Sequence, residues 1–158
     1  MNLHQQLTNL LKEFDTPYTS IEHASTMTCA ASAAARGEDK KIGGKTLLLK
    51  DKLDFRLFVM SAALNFDSQK ARQILKSHKL RFATKEELLK HTGAISGTLP
   101  PFGRPLQNFD LYIDPSVLDN DKIAFNAGLL TCSFIMNTQD WYKLVKDHAQ
   151  LASFTKKG

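Results

Sequence analysis

The chain has 158 residues, 42% of them apolar and 23% charged, and a formal net charge of +5. That length suits one domain with a substantial core, and this composition argues against a disordered chain. No apolar run approaches the roughly 18–20 residues that cross a bilayer, and the opening MNLHQQLTNLL lacks the basic-then-apolar layout of a secretory leader, so a cytoplasmic protein without membrane association is expected.

Leu3, Leu7, Leu10, Leu11 and Phe14 recur at helical spacing and predict an amphipathic helix over residues 3–14 that ends before Pro17. Residues 18–22 alternate enough for a short strand, after which Ser25 or Thr26 caps an alanine-rich helix, MTCAASAAARG, closed by Gly37. Residues 45–50 and 55–62 are β-rich runs flanking a charged turn at 51–54, which reads as a hairpin. A basic helix over 67–78 turns Ala71, Ile74 and Leu75 inward and is followed by a short strand at 80–83. Thr84-Lys85-Glu86-Glu87 is then a capping box opening a helix that Gly93 stops. Residues 93–105, GAISGTLPPFGRP, are too rich in Gly and Pro for regular structure and too long for a simple turn, a combination common in functional loops. Residues 109–113, 123–126 and 133–136 read as strands, and Thr138 caps a last helix with Trp141, Leu144, Val145 and His148 on one face. Three of the strand connections are too short for helical crossovers. The fold class is therefore α+β, a mixed, largely antiparallel sheet surrounded by helices, in a single domain over residues 1–158.

Residues 70–90 carry seven basic side chains against Glu86 and Glu87, a second cluster runs Lys40, Lys41, Lys45, Lys50, Lys52 and Arg56, and the tail holds Lys156 and Lys157. Such clusters suit a phosphate backbone and equally suit solvated helix faces. No serine sits in a nucleophile elbow, and the five histidines are scattered without ligand spacing. No metal and no organic cofactor are expected. Cys29 and Cys132, far apart in sequence, read as reduced packing thiols.

Two features remain. Lys45 follows Gly43-Gly44 at the head of a strand; it is either an ammonium placed where a glycine pair lets a ligand approach the backbone, or a solvated strand-start lysine. The stretch from Gly97 to Gly103 joins rigid prolines, a glycine at each end and an aromatic ring; it either cradles an oxygen with exposed amides or is a structural Ω-loop pinned by Phe102.

Taken in order, His23, the alanine-rich helix, Lys45 at a strand head, Gly93-Ala94-Ile95-Ser96-Gly97-Thr98-Leu99-Pro100-Pro101-Phe102-Gly103, and Asn126-Ala127-Gly128 resemble the YbaK-like family, which includes the editing domain inserted in bacterial prolyl-tRNA synthetases and its free-standing relatives. The likeness spans roughly residues 3–148. It implies a trans-editing aminoacyl-tRNA deacylase that hydrolyses the ester between a mischarged small amino acid (Ala, Ser, Thr or Cys) and the terminal adenosine. By the same resemblance Lys45 grips the phosphate and ribose end of the substrate, and the Gly97 backbone faces the scissile carbonyl. Asn126, Ala127 and Gly128 wall the aminoacyl pocket, with Thr46, Pro100, Pro101, Phe102 and Gly103 also at the substrate. Thr46 stands where some relatives carry Asn, and Pro100-Pro101-Phe102 where others carry Ser-Pro-Leu or Ser-Pro-Phe, which leaves the choice of amino acid open. His23 either lines the pocket or caps the following helix. The resemblance also implies that the neighbouring ribose hydroxyl helps activate the water; for an already activated ester, positioning and backbone donors at the oxyanion then supply much of the rate. Lys70, Arg72, Lys76 and Lys79 are expected on the acceptor stem. The expected partner is aminoacyl-tRNA and not DNA, with a synthetase or an elongation factor as a further candidate. The rival reading is a non-catalytic module of the same fold that holds tRNA or an adenosine ligand.

Overall fold

Asn2 opens the first helix with a capping box: its side chain accepts from Gln5 N at 2.8 Å while the Gln5 side chain accepts from Asn2 N at 3.1 Å. In the computed structural model, which describes residues 1–26 and 29–158, this helix (α1, Leu3–Glu13) buries Leu3, Leu7, Leu10 and Leu11. Each of those leucines contributes roughly 1.5–3 kcal/mol by leaving water. Phe14, expected inward, is the C-cap instead and lies exposed, because the chain leaves the helical path there.

The remaining elements in chain order are β1 (Thr19–Glu22), α2 (Cys29–Arg36), β2 (Gly44–Lys50), β3 (Phe55–Ser61), β4 (Leu64–Phe66), α3 (Ser68–Leu75), β5 (Arg81–Phe82), α4 (Lys85–Thr92), β6 (Leu111–Ile113), α5 (Pro115–Leu118), β7 (Lys122–Leu129), β8 (Cys132–Asn137), α6 (Thr138–Val145), β9 (Ala149–Leu151) and β10 (Thr155–Lys157). The expected start of the second helix at Met27 lies outside the described residues. Its end is as expected, with Gly37 at φ +72° beyond Arg36.

Among the described residues the strands form three sheets in place of the one expected: β1-β8-β7, β5-β2-β3-β6-β9 and β4-β10. Most pairings are antiparallel, but β3–β6 and β6–β9 are parallel. Their connections run through several other elements, long enough to bring a strand back in the same direction. Besides packing side chains together, the first two sheets are linked among the described residues by an isolated parallel bridge, Gly43 to Ala124.

The β2–β3 hairpin pairs Lys50 with Phe55, and Asp51 closes it by accepting from Leu53 N and Asp54 N, both at 2.8 Å. The near-continuous apolar run of β3 follows from burial on both faces. Leu57 and Val59 enter the main core with α1 and Trp141, whereas Phe58 and Met60 enter a second core roofed by Ala71, Ile74 and Leu75 of α3.

Local signals set most helix ends. Thr84 and Glu87 form the expected capping box, and Gly93 ends α4 at φ +77°. Three expectations are corrected. The N-cap of α6 is Asn137, whose side chain accepts from Asp140 N at 3.0 Å, so Thr138 is already helical. His148 falls in a 3₁₀ turn after α6 and is exposed, not on the buried face. Helix α3 stops at Leu75, earlier than expected, because Lys76 takes the left-handed conformation at φ +52°. Lys156 and Lys157 of the basic tail belong to β10, paired with Asn65 and Leu64.

Candidate active site

Strand β5 is short, and its ladder reaches only Leu49 and Lys50 of β2, with Ala83 N donating to Leu48 O at 2.9 Å. From Gly44 to Leu47 that edge of β2 has no partner strand among the described residues. A cavity of about 610 Å³ opens there, bounded by β2, by α2 through Cys29, Ser32 and Arg36, by the turn at Ser96 and Gly97, and by Asn126 of β7. Its lining holds three cations, Arg36, Lys45 and Lys85, and no Asp, Glu or His.

Lys45, Thr46, Gly97 and Asn126, drawn from four separate places in the sequence, all line this cavity. Lys45 is exposed, opposite Met60, and has no ion-pair partner among the described residues. The Thr46 hydroxyl is buried and without a hydrogen-bond partner among them. The glycine pair before Lys45 serves packing: a Cβ on Gly44 would meet Ile123 at 2.8 Å, and one on Gly43 would meet Ala62 at 3.1 Å. The space they free is filled by protein.

Ile95 to Thr98 is a tight turn in which Thr98 N donates to Ile95 O at 3.0 Å. Gly97 sits at its third position with φ +85°, a conformation that favours glycine. The buried Thr98 hydroxyl locks the turn, donating to Ile95 O at 2.8 Å and accepting from Ile95 N at 3.0 Å. The Gly97 amide donates to no backbone group among the described residues, while Gly97 O accepts from Asn126 Nδ2 at 2.8 Å.

The rest of the loop turns away from the cavity. Phe102 is 1% exposed and packs edge-on against Phe125 with centroids 5.7 Å apart. Pro101 O accepts from Trp141 Nε1 at 2.8 Å, and Pro100 and Gly103 are buried. A Cβ on Gly103 would lie 2.9 Å from Phe109 O. None of Pro100, Pro101, Phe102 and Gly103 lines the cavity; they anchor the turn that does. Ala127 and Gly128 are also outside the lining. Ala127 O meets His4 Nδ1 at 2.7 Å, and Gly128 at φ +78° lets the start of α1 approach within 2.9 Å of where its Cβ would be.

Behind the cavity wall lies a polar network that sequence reasoning missed. Arg36 Nε donates to Ser133 Oγ at 2.8 Å and Nη2 to Asn126 Oδ1 at 3.2 Å, and Ser133 Oγ lies 3.1 Å from the same Oδ1. His23 joins it from the far side, with Nε2 2.8 Å from Ser133 Oγ and Nδ1 2.8 Å from Ala24 O. His23 therefore contacts a residue behind the cavity and is not part of its lining. Burial without a carboxylate partner pulls the Arg36 guanidinium down to about 10, offset in part by Cys29. Cys29, read as a packing thiol, is half-buried at the cavity, whereas Cys132 is in the core.

At the rim stands Phe82, 56% exposed, its ring 5.7 Å from that of Phe66. Of the four cations expected on the acceptor stem, Lys70 Nζ donates to Thr155 O at 2.8 Å, and Arg72 donates to His78 O and Ser68 Oγ at 3.1 and 3.0 Å. Lys76 and Lys79 are exposed. Among the described residues no three His, Cys, Asp or Glu come together as a metal site.

Comparison with known proteins gives the family and the fold. Residues 23–144 match the family described as the aminoacyl-tRNA editing domain. The multifunctional Ser/Thr-tRNA deacylase ProXp-y of Escherichia coli (strain K12) is 31% identical over 149 residues, covering 90% of this chain and 88% of that protein. A crystal structure described as a candidate trans-editing enzyme for prolyl-tRNA synthetase superposes with a TM-score of 0.83 at 24% identity, covering 99% of this chain and 98% of the other. A scaffold protein from computational epitope grafting superposes with a TM-score of 0.85 at 19% identity, covering 100% and 99%. At these identities the two structures speak to the fold.

Proposed function

We infer the activity from one premise: the chain belongs to the aminoacyl-tRNA editing domain family. It is an aminoacyl-tRNA deacylase, hydrolysing the ester between an amino acid and the 3′-terminal adenosine of a tRNA. The observation that carries this to particular residues is the meeting of Lys45, Thr46, Gly97 and Asn126 in one cavity whose lining has three cations and no carboxylate. Such a lining suits a phosphorylated substrate and leaves hydrolysis without a carboxylate or imidazole base.

Lys45 holds the phosphate and ribose of the terminal nucleotide. The Gly97 amide points its N–H at the oxygen that becomes negative as water adds to the ester carbon. In this arrangement the substrate's own neighbouring ribose hydroxyl orients the water and relays its proton to the departing ribose oxygen, so that the C–O bond to water forms as the ester C–O bond breaks and the free amino acid and an intact ribose hydroxyl are released. Backbone donors preset at a developing oxyanion stabilise it without reorganising, and removing one such donor typically slows a reaction by about 10²–10³-fold. Among small amino acids, Ser and Thr come first, because the 31%-identical relative is named for them. Phe82 at the rim suits the face of a base, and exposed Lys76 and Lys79 suit stem phosphates.

The test is deacylation of a panel of tRNAs charged with Ala, Ser, Thr or Cys by the wild-type chain and by Lys45→Ala. Turnover of at least one, nearly abolished in the variant while its melting temperature stays put, is the expected result. Tight binding of tRNA without turnover of any member would make the chain a binding module.

A further inference from the structure

We propose that Arg36 is a positioning residue for the ester hydrolysis: through the Asn126 side chain it fixes the peptide that aims the Gly97 amide into the cavity. The proposal rests on the reading of Gly97 as an oxyanion donor and adds a residue in α2 to it.

The two ends of an asparagine amide are close in shape, and their orientation is decided by neighbours. Arg36 has only donors to offer, so the Asn126 atom 3.2 Å from Nη2 must be the oxygen. Ser133 supports the same choice from 3.1 Å and is itself held by Arg36 Nε at 2.8 Å. The opposite end of the amide is then a donor, and it meets Gly97 O at 2.8 Å. Thr98 N, on the other side of that same peptide, donates to Ile95 O at 3.0 Å. The peptide between Gly97 and Thr98 is thus pinned at both of its polar atoms. The Gly97 N–H belongs to the adjoining peptide, separated from this pinned one only by the two backbone torsions of Gly97, whose φ is +85°, so holding one peptide restricts the other.

The guanidinium is a poor choice if its only duty is to join α2 to β7 and β8. It is half-buried and has no carboxylate partner among the described residues. An apolar side chain of similar length would avoid the desolvation of an ion. A salt-bridging carboxylate would draw the fork away from Asn126 and cancel positive charge at a cavity meant for an anion. What the guanidinium does, and an apolar chain cannot, is grip Ser133 and Asn126 together in one plane. A lysine has a single head and cannot span both in the same way.

The experiment compares wild type with Arg36→Met, Arg36→Lys and Asn126→Asp, on the mischarged tRNA turned over best, with a melting temperature for each and the ¹H–¹⁵N resonance of Gly97 without substrate. Arg36→Met is expected to melt no lower than wild type, to lose about 10- to 100-fold in kcat, and to change KM by no more than about threefold. Its Gly97 resonance should move. Arg36→Lys should resemble it. Asn126→Asp keeps an acceptor for Arg36, now as a new ion pair, but has no N–H for Gly97 O, so it should lose kcat to a similar degree although Arg36 stays held. Guanidinium added at tens of millimolar should restore part of the activity of Arg36→Ala, which serves also if the Met variant folds poorly. A wild-type kcat in Arg36→Met, a loss confined to KM, or an unmoved Gly97 resonance each overturns the proposal. Failure of the wild-type chain to deacylate any substrate would instead sink the functional reading, and the Gly97 resonance would still decide whether Arg36 positions the turn.

Discussion

Two buried threonine hydroxyls, those of Thr46 and Thr138, have no hydrogen-bond partner among the described residues, and only the first lies at the cavity. Valine has nearly the shape of threonine and the same branching at Cβ, so Thr46→Val keeps the strand conformation of β2 and Thr138→Val keeps the packing of α6. Each replacement removes a polar group that loses its water on folding and gains nothing in return, a cost of about 1–3 kcal/mol. Taking about 1 kcal/mol and about 2.1 cal/mol/K of unfolding entropy per residue over the 158-residue chain, each variant should melt roughly 3 °C higher. Neither hydroxyl is open to solvent, so neither reaches a substrate, and Thr46→Val and Thr138→Val should both deacylate seryl- and threonyl-tRNA at the wild-type rate. Differential scanning calorimetry and single-turnover deacylation measure the two effects. A lower melting temperature in either variant would show that its hydroxyl is satisfied within the fold, and a loss of deacylation confined to Thr46→Val would show that its hydroxyl opens to the substrate.

Gly97→Ala places a Cβ 3.2 Å from Leu130 Cδ2 on a backbone at φ +85°, so it should cost roughly 1–2 kcal/mol in a urea melt and lower kcat more than KM. Phe102→Ala should cost about 3–5 kcal/mol by opening the core beside Phe125, and any loss of activity should follow the fraction unfolded, as a denaturant titration run alongside the assay will show. Charge reversal at Lys76 and Lys79, both exposed, should raise KM on full tRNA and flatten its salt dependence by about one unit per contact, while an aminoacyl-adenosine substrate is unaffected. Lys70→Glu should instead lower the melting temperature, because its ammonium holds Thr155 O in the β4–β10 sheet.

What could be read from the sequence was what local chemistry decides. The Thr84–Glu87 capping box, the stop at Gly93 and the β2–β3 hairpin each depend on residues a few positions apart. The choice between Asn137 and Thr138 as cap was not so determined, since both side chains are able to cap and their order relative to β8 settles it. Strands β4, β9 and β10 escaped notice because three residues such as Ala149-Gln150-Leu151 carry no period, and their pairing comes from across the chain. Lys45 behind its glycine pair and the Gly97–Gly103 stretch stood out in the sequence with two readings each, and only a resemblance chose the functional one. Arg36 gave no signal at all: its partners Ser133 and Asn126 are 97 and 90 residues away. Phe102 carried a signal that pointed two ways, and the buried indole of Trp141, bonded to Pro101 O, explains why the ring faces inward.

The uncovered stretch of β2 from Gly44 to Leu47 bears on solubility as well as on catalysis. A row of unpaired amides and carbonyls beside Leu47 and Leu48 is a template on which another chain can lay down a strand, and natural sheets commonly deter this with a lysine at the edge. Lys45 is placed to do so. By the role proposed for Lys45, one charge both draws a phosphate into the cavity and keeps a second polypeptide out, which sets a limit on how this position can change. An apolar, β-branched residue there would combine loss of activity with a sticky edge, so concentrated Lys45→Ile should self-associate more than the wild-type chain while Lys45→Arg should match it. An editing enzyme that leaves part of a sheet unzipped for its substrate thus relies on one side chain to guard the gap between turnovers.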